Sequence, residues 1–182
     1  EGAMGLTNLL IVGEELRSRA IQAEVWRRAQ DLLFSENEMV QRAGLEAMCN
    51  LCMAPEIIER IVEGKGELDL KLLIAFAGSE DVAAQNASAG ALAMLSDYPE
   101  AAAKIAASEN FQNLLTLVLE PQLESGVQHR IVACLTNLYQ AGEHVPHELR
   151  QRVLRTLKER EAGVGFQSKD AVDMVRELVS SA

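Results

Sequence analysis

An all-α, right-handed solenoid is the fold class this sequence predicts, and three observations lead to it. The first is self-similarity. Gly5-Leu6-Thr7-Asn8-Leu9, Ala47-Met48-Cys49-Asn50-Leu51, Ala91-Leu92-Ala93-Met94-Leu95 and Cys134-Leu135-Thr136-Asn137-Leu138 each run from a small residue through a large apolar one and a spacer to Asn or Met, then Leu. The final leucines are 42, 44 and 43 residues apart. Periods of roughly 40 to 47 residues belong to helical repeats that cannot bury their apolar faces alone and must stack. The second observation is that each period divides into one short and two longer helices, which is the armadillo plan; HEAT units have two. The third is composition: 48% apolar but only 4% aromatic residues, with Ala, Leu, Glu and Gln abundant. These residues lose little side-chain entropy on entering a helix.

The elements follow in order. Residues 1–12 resemble a third helix with no first or second helix before it. The sequence is therefore expected to start inside a larger protein, with Leu6, Leu9, Leu10 or Ile11 exposed and able to drive self-association through that truncated N-terminal face. Helices are expected over 14–24, 25–34 and 38–53. The next unit gives 55–62, a break at Gly64 and Gly66, then 68–77 and 82–96. The third gives 99–107, 110–119 and 123–140. Pro55 and Pro99 fit first helical turns, where a missing N–H costs nothing. Beyond Gln140 the pattern degrades into one amphipathic helix over 146–161, with Leu149, Val153, Leu154 and Leu157 on a face, a Gly163-Val164-Gly165 break, and a last helix over 168–179. Terminal solenoid units are often atypical because one side meets water, and the charge-rich run from Arg150 to Glu161 suits that. The units expected are 1–13 (partial), 14–54, 55–97, 98–141 and an atypical cap over 142–182.

Composition also excludes functions. The formal charge of −10 disfavours nucleic acid and anionic membranes, which demand clustered Lys and Arg. No stretch approaches the roughly 20 apolar residues of a membrane-spanning helix. The three cysteines, Cys49, Cys52 and Cys134, sit in apolar helical pattern and read as reduced core thiols of a cytoplasmic protein. Cys49-Asn50-Leu51-Cys52 has the C-x-x-C spacing, but it falls near a helix C-terminus, where the dipole opposes a thiolate, and no second pair completes a zinc site. Pro146 separates His144 and His147 into a turn. Asn86-Ala87-Ser88 matches the glycosylation pattern but falls mid-helix. No phosphate loop and no nucleophile–base arrangement occurs, so no catalytic residue, metal or cofactor is expected, and the protein is not expected to be an enzyme.

What the repeat leaves facing solvent is more informative. Beside each third helix's apolar stripe runs a second one at i, i+4 and i+8: Met4 and Asn8; Arg42, Glu46 and Asn50; Asn86, Gly90 and Met94; His129, Ala133 and Asn137. Third helices line the concave face of armadillo stacks, so these positions form a ladder along one groove. Asn is a mediocre helix former, yet it recurs on the rungs. Its side chain carries a donor and an acceptor and can hold the backbone of an extended peptide. The same amides can instead bond neighbouring backbone within the stack.

The stretch Glu38-Met39-Val40-Gln41-Arg42-Ala43 leading to Ala47-Met48-Cys49-Asn50-Leu51-Cys52-Met53 resembles the UCS family of myosin-directed chaperones. So do Leu70-Lys71-Leu72-Leu73 and, after Ser79-Glu80-Asp81, Gln85, Ala87, Ala89-Gly90 and Leu92-Ala93-Met94-Leu95; Gly5-Leu6-Thr7-Asn8-Leu9 fits the preceding helix. The resemblance covers residues 1–140 and fades beyond. It implies an armadillo solenoid from the C-terminal part of a larger protein, an ATP-independent co-chaperone that folds or protects the myosin motor domain alongside Hsp90. Hsp90 docking in animal members uses an N-terminal TPR module, outside the residues present here. The implied myosin groove maps onto Asn8, Arg42, Asn50 and Asn137, with Met94 departing from the Asn pattern; Glu46, Asn86 and His129 join by register. A second reading is an importin- or catenin-like scaffold gripping an extended peptide. Against it, the sole tryptophan, Trp26, falls on a second helix rather than beside the ladder. An enzyme reading, third, rests on Cys49 and Cys52 alone.

Overall fold

The computed structural model describes Gly5, Leu10 and residues 13–181. Among these residues there is no strand, and the helices are α1 (Glu14–Gln22), α2 (Val25–Leu32), α3 (Glu38–Leu51), α4 (Pro55–Val62), α5 (Glu67–Ala77), α6 (Val82–Ser96), α7 (Pro99–Ala106), α8 (Phe111–Val118), α9 (Ser125–Gln140), a 3₁₀ turn (Gly142–His144), α10 (His147–Ala162) and α11 (Lys169–Ser181). None of them is long and apolar enough to cross a membrane. The predicted N-terminal helix, and with it Met4, Leu6, Asn8, Leu9 and Ile11, lies outside the described residues. Leu10, expected on an exposed side, is instead buried against the core, with its carbonyl accepting from Arg17 at 3.2 Å.

Like helices stack on like. The third helices form a continuous layer, α3 on α6, α6 on α9 and α9 on α11. Second helices follow, α5 on α8 and α8 on α10, and first helices too, α4 on α7 and α7 on the 3₁₀ turn. Leu45, Met48, Leu51, Leu92, Leu95, Ile131, Leu135 and Leu138 of the third helices are fully buried, as are Leu73 and Leu114 of the second helices.

Local chemistry sets the boundaries. Each third helix opens on a side-chain cap that satisfies otherwise orphaned amides. Asn37 accepts from Met39 N, Asp81 from Ala83 N and Ala84 N, and Glu124 from Gly126 N and Val127 N. This places the start of α9 at Ser125 rather than at Leu123: the Glu124 carboxylate takes the first amides, and Leu123 packs into the core outside the helix. The helix expected over 14–24 stops at Gln22, because Glu24 adopts a left-handed φ of 57°. Beyond Gln140 the stack continues. The last unit keeps its second and third helices and shrinks its first to the 3₁₀ turn at Gly142, whose φ of 61° suits glycine. Nor does the charge-rich run face water throughout: Arg160 is only 2% exposed. Its Nη1 donates to the carbonyls of Leu119 at 3.2 Å and Glu120 at 2.7 Å, closing the C-terminal end of α8, and its guanidinium stacks 5.8 Å from the Phe166 ring.

Gly44 marks the closest approach of α3 to α2. A Cβ there would lie 2.8 Å from the Ala29 carbonyl oxygen and 3.0 Å from Leu32 Cβ. At the equivalent place in the next unit, the Ser88 hydroxyl donates to the Leu73 carbonyl. Gly44→Ala gains about 1 kcal/mol of helix propensity but incurs an overpacking penalty of about 1–3 kcal/mol against backbone. A net loss of about 1 kcal/mol is expected, read as a lower urea midpoint at unchanged slope.

Candidate partner-binding groove

The third helices place the ladder positions in three tiers, and each tier behaves differently. The first tier ties units together. The Arg42 guanidinium pairs with the Asp81 carboxylate that caps α6. Asn86 Nδ2 donates to Glu124 Oε2 of the α9 cap at 3.3 Å. His129 Nδ1 lies 3.9 Å from Asp170 in the first turn of α11. Each rung thus ends on an acidic group at the start of the next third helix, where a negative charge is favoured by the helix dipole.

The middle tier is Glu46, Gly90 and Ala133. Gly90 is buried, and a Cβ on it would stand 3.2 Å from Cys49 Sγ and 3.5 Å from Arg130 Nε. The small residue therefore lets α6 lie close against Cys49 and Arg130 at this level. Glu46, Asn50 and Asn86 meet Cys49, Ala87 and Arg130 around one depression of about 390 Å³. The three predicted residues on this list come from α3 and α6, and Arg130 closes the site from α9.

In the last tier, Asn137 reaches back across α6, its Nδ2 donating to Ser96 Oγ at 3.1 Å and to the Ala93 carbonyl at 3.4 Å. Met94 and Asn137 line a second depression of about 360 Å³, adjoining the C-terminal ends of α3 and α6. The eight predicted residues accordingly separate into Glu46, Asn50 and Asn86 at one depression, Met94 and Asn137 at another, Arg42 and His129 on inter-unit rungs, and Asn8 outside the described residues.

Arg130 is the groove residue that sequence reasoning missed. Its guanidinium donates to Asn86 Oδ1, while its neighbour His129 turns toward α11. The available signal was the repeat step. The first full unit advances by 44 residues, and that step from Asn86 lands on Arg130; the 43-residue step between the leucines lands on His129. The thiols carry no activated chemistry. Burial pushes Cys49 up to about 11 despite the opposing Arg130 charge, pushes Cys134 up to about 12, and holds Cys52 well above its usual value. All three are protonated near neutrality, and a thiol in that state is a poor nucleophile.

No family model matches the sequence. Protein unc-45 homolog B of Danio rerio is 30% identical over 159 residues, which cover 82% of this chain and 16% of that protein. The chain thus spans about a sixth of the length of this relative. Two solved structures superpose at lower identity and show the fold. An UNC-45 chaperone, described for its binding and folding of muscle myosin, gives a TM-score of 0.79 at 19% identity over 99% of this chain and 20% of its own. A designed armadillo repeat protein in complex with the peptide (KR)4 gives 0.68 at 15% identity over 98% of this chain and 90% of its own.

The Glu124 rung carries a pH signature. Amide hydrogen bonds from Gly126 and Val127, with a further one from Asn86, hold its carboxyl below the usual value. A group with a depressed folded pKa stabilises above its unfolded pKa, about 4.3 for Glu, and loses that contribution as pH falls through the folded value. Glu124→Ala is expected to cost about 1 kcal/mol at pH 7, the scale of a lost cap. Denaturation of the two proteins across pH 2 to 7 should show the difference shrinking below about pH 4.

Proposed function

The chain belongs to the UCS-domain family, and from that premise we propose that it is a cytoplasmic chaperone module that binds a myosin motor domain along its third-helix face and assists folding or prevents aggregation. The observation that carries the reading is the depression in which Glu46, Asn50 and Asn86 converge with Arg130. Side chains of three successive units meet there, so a partner seated in it contacts a surface that exists only when the units are stacked. Glu46 and Asn50 are proposed as direct contacts, with Met94 and Asn137 further along the groove. Arg42, Asn86 and His129 hold the groove's shape through their rungs. Any Hsp90 contact is assigned to regions beyond these residues.

A second reading is a scaffold that grips an extended basic peptide, favoured by the net charge of −10 and by the fold it shares with the peptide-binding designed repeat. Trp26 argues against it, being buried on α2 at 5% exposure and away from the third-helix face.

Capture of a purified myosin motor domain beside a (Lys-Arg)4 peptide separates the two readings. Glu46→Lys combined with Asn50→Lys should keep the melting curve within a few degrees, since both positions are half-exposed and such substitutions cost less than core ones, about 1 kcal/mol or less each. The double variant should weaken motor-domain capture about thirtyfold, the effect of losing a central contact of about 2 kcal/mol. Heat aggregation of the motor domain should be suppressed by the parent chain and not by the variant. Normal capture by a folded double variant would refute the groove assignment; strong peptide capture without motor-domain capture would favour the scaffold.

A further inference from the structure

The turns from a third helix into the next first helix carry an exposed apolar residue in two successive units, one register position apart: the 44-residue step takes Met53 to Asp97, and Tyr98 is the residue after it. Met53 follows α3 and Tyr98 follows α6, 39% and 42% exposed. Both are walls of the second groove depression, with half-buried Met94 between them and Asp97 and Asn137 completing the lining. Asp97 also faces the smaller adjoining depression beside Pro99 and Gln140. No Lys or Arg lines either depression, and Asp97 has no ion pair among the described residues. Of the other exposed large apolar side chains, Phe34, Met39, Val82 and Val164 stand in or beside the turns between second and third helices, and Leu68 opens α5.

Two methionines and a tyrosine around one concavity form a surface that adapts to an apolar side chain. Thioethers fill irregular space and pack against aromatic rings, and Tyr supplies large contact area with little entropy to lose. A bare carboxylate at the rim, with no cation of its own, selects for positive charge beside that side chain. Counted along α6, Met94 lies eight residues from Asn86, about 12 Å at 1.5 Å per residue, so one extended segment of a few residues spans both depressions.

We propose that this depression is the anchor subsite of the groove: it takes one apolar side chain of Leu, Met or Phe size from the protein partner, next to a Lys or Arg that pairs with Asp97. The proposal rests on the reading that the chain binds protein along its third helices, and it adds which partner segment is chosen.

Methyl-labelled methionine provides the test on the whole chain. Met53 and Met94 resonances, assigned by Leu substitution, are followed on adding purified myosin motor domain and, separately, the peptide Gly-Ser-Lys-Leu-Lys-Ser-Gly, its Ala-for-Leu variant and its Glu-for-Lys variant. The motor domain and the Lys-Leu-Lys peptide should move Met53 and Met94 and leave Met39, at the far end of α3, unmoved; the two variant peptides should move neither. Met53→Glu should weaken motor-domain capture roughly tenfold or more, and Asp97→Asn a few-fold with a shallower salt dependence. Motor-domain capture with Met53 and Met94 unmoved and Met53→Glu without effect overturns the anchor subsite while leaving the myosin reading intact. Movement by the Lys-Leu-Lys peptide without motor-domain capture supports the subsite and overturns the myosin reading. No movement with any of them overturns the subsite, and equal movement by the Glu-flanked peptide overturns the role of Asp97.

Discussion

Contact between successive third helices is the constraint from which the rest of this molecule follows. α6 has α3 on one side and α9 on the other, with α5 and α7 behind it, and residues 88–92 are buried without interruption. That burial is possible because Ser88, Ala89, Gly90 and Ala91 are small and let neighbouring helices approach. The leucines on either side fill the remaining volume. The helices that expose the groove are therefore the same helices that hold the stack. This is why the ladder resolves into positions that face outward, such as Glu46, and positions committed to a neighbouring unit, such as Asn137.

Much of the fold was legible because the physical need of each unit is periodic. A surface that must be covered every 42 to 44 residues leaves its mark in the sequence at that interval, and proline and glycine punctuate the joints. What stayed hidden depends on tertiary partners. The first helix of the last unit has shrunk to one 3₁₀ turn, which no hydrophobic period records. Arg160 reads as a surface charge within a charged run, but it is buried because the exposed carbonyls closing α8 lie where its side chain ends. Buried cations are tolerated when carbonyls and an aromatic face replace water; here the carbonyls come from residues about forty positions away and the aromatic face from Phe166.

The candidate site was legible in outline for the same reason and blurred in detail for another. Register alone found Glu46, Asn50 and Asn86, which the fold does bring together. It did not separate groove contacts from inter-unit rungs, because both occupy the same helical stripe and differ only in side-chain direction. A step one residue longer distinguishes Arg130 from His129, and a one-residue step turns a side chain by about 100° around a helix. Tyr98 escaped notice because it sits in a turn, outside any helical periodicity, and Met53, read as the end of a helix over 38–53, lies in the turn beyond α3.

The rungs between third helices also differ in kind from one junction to the next. The first is an ion pair between Arg42 and Asp81, the second a hydrogen bond from a neutral amide to Glu124, and the third a histidine 3.9 Å from Asp170. The tie along this edge thus weakens from one junction to the next, while the opposite edge is joined by neutral contacts such as Asn137 on Ser96. Exposed ion pairs loosen as salt screens them, and neutral hydrogen bonds scarcely respond. Added salt therefore weakens the Arg42–Asp81 tie, and the Lys71–Glu109 pair between second-helix layers, more than it weakens the Asn137–Ser96 contact.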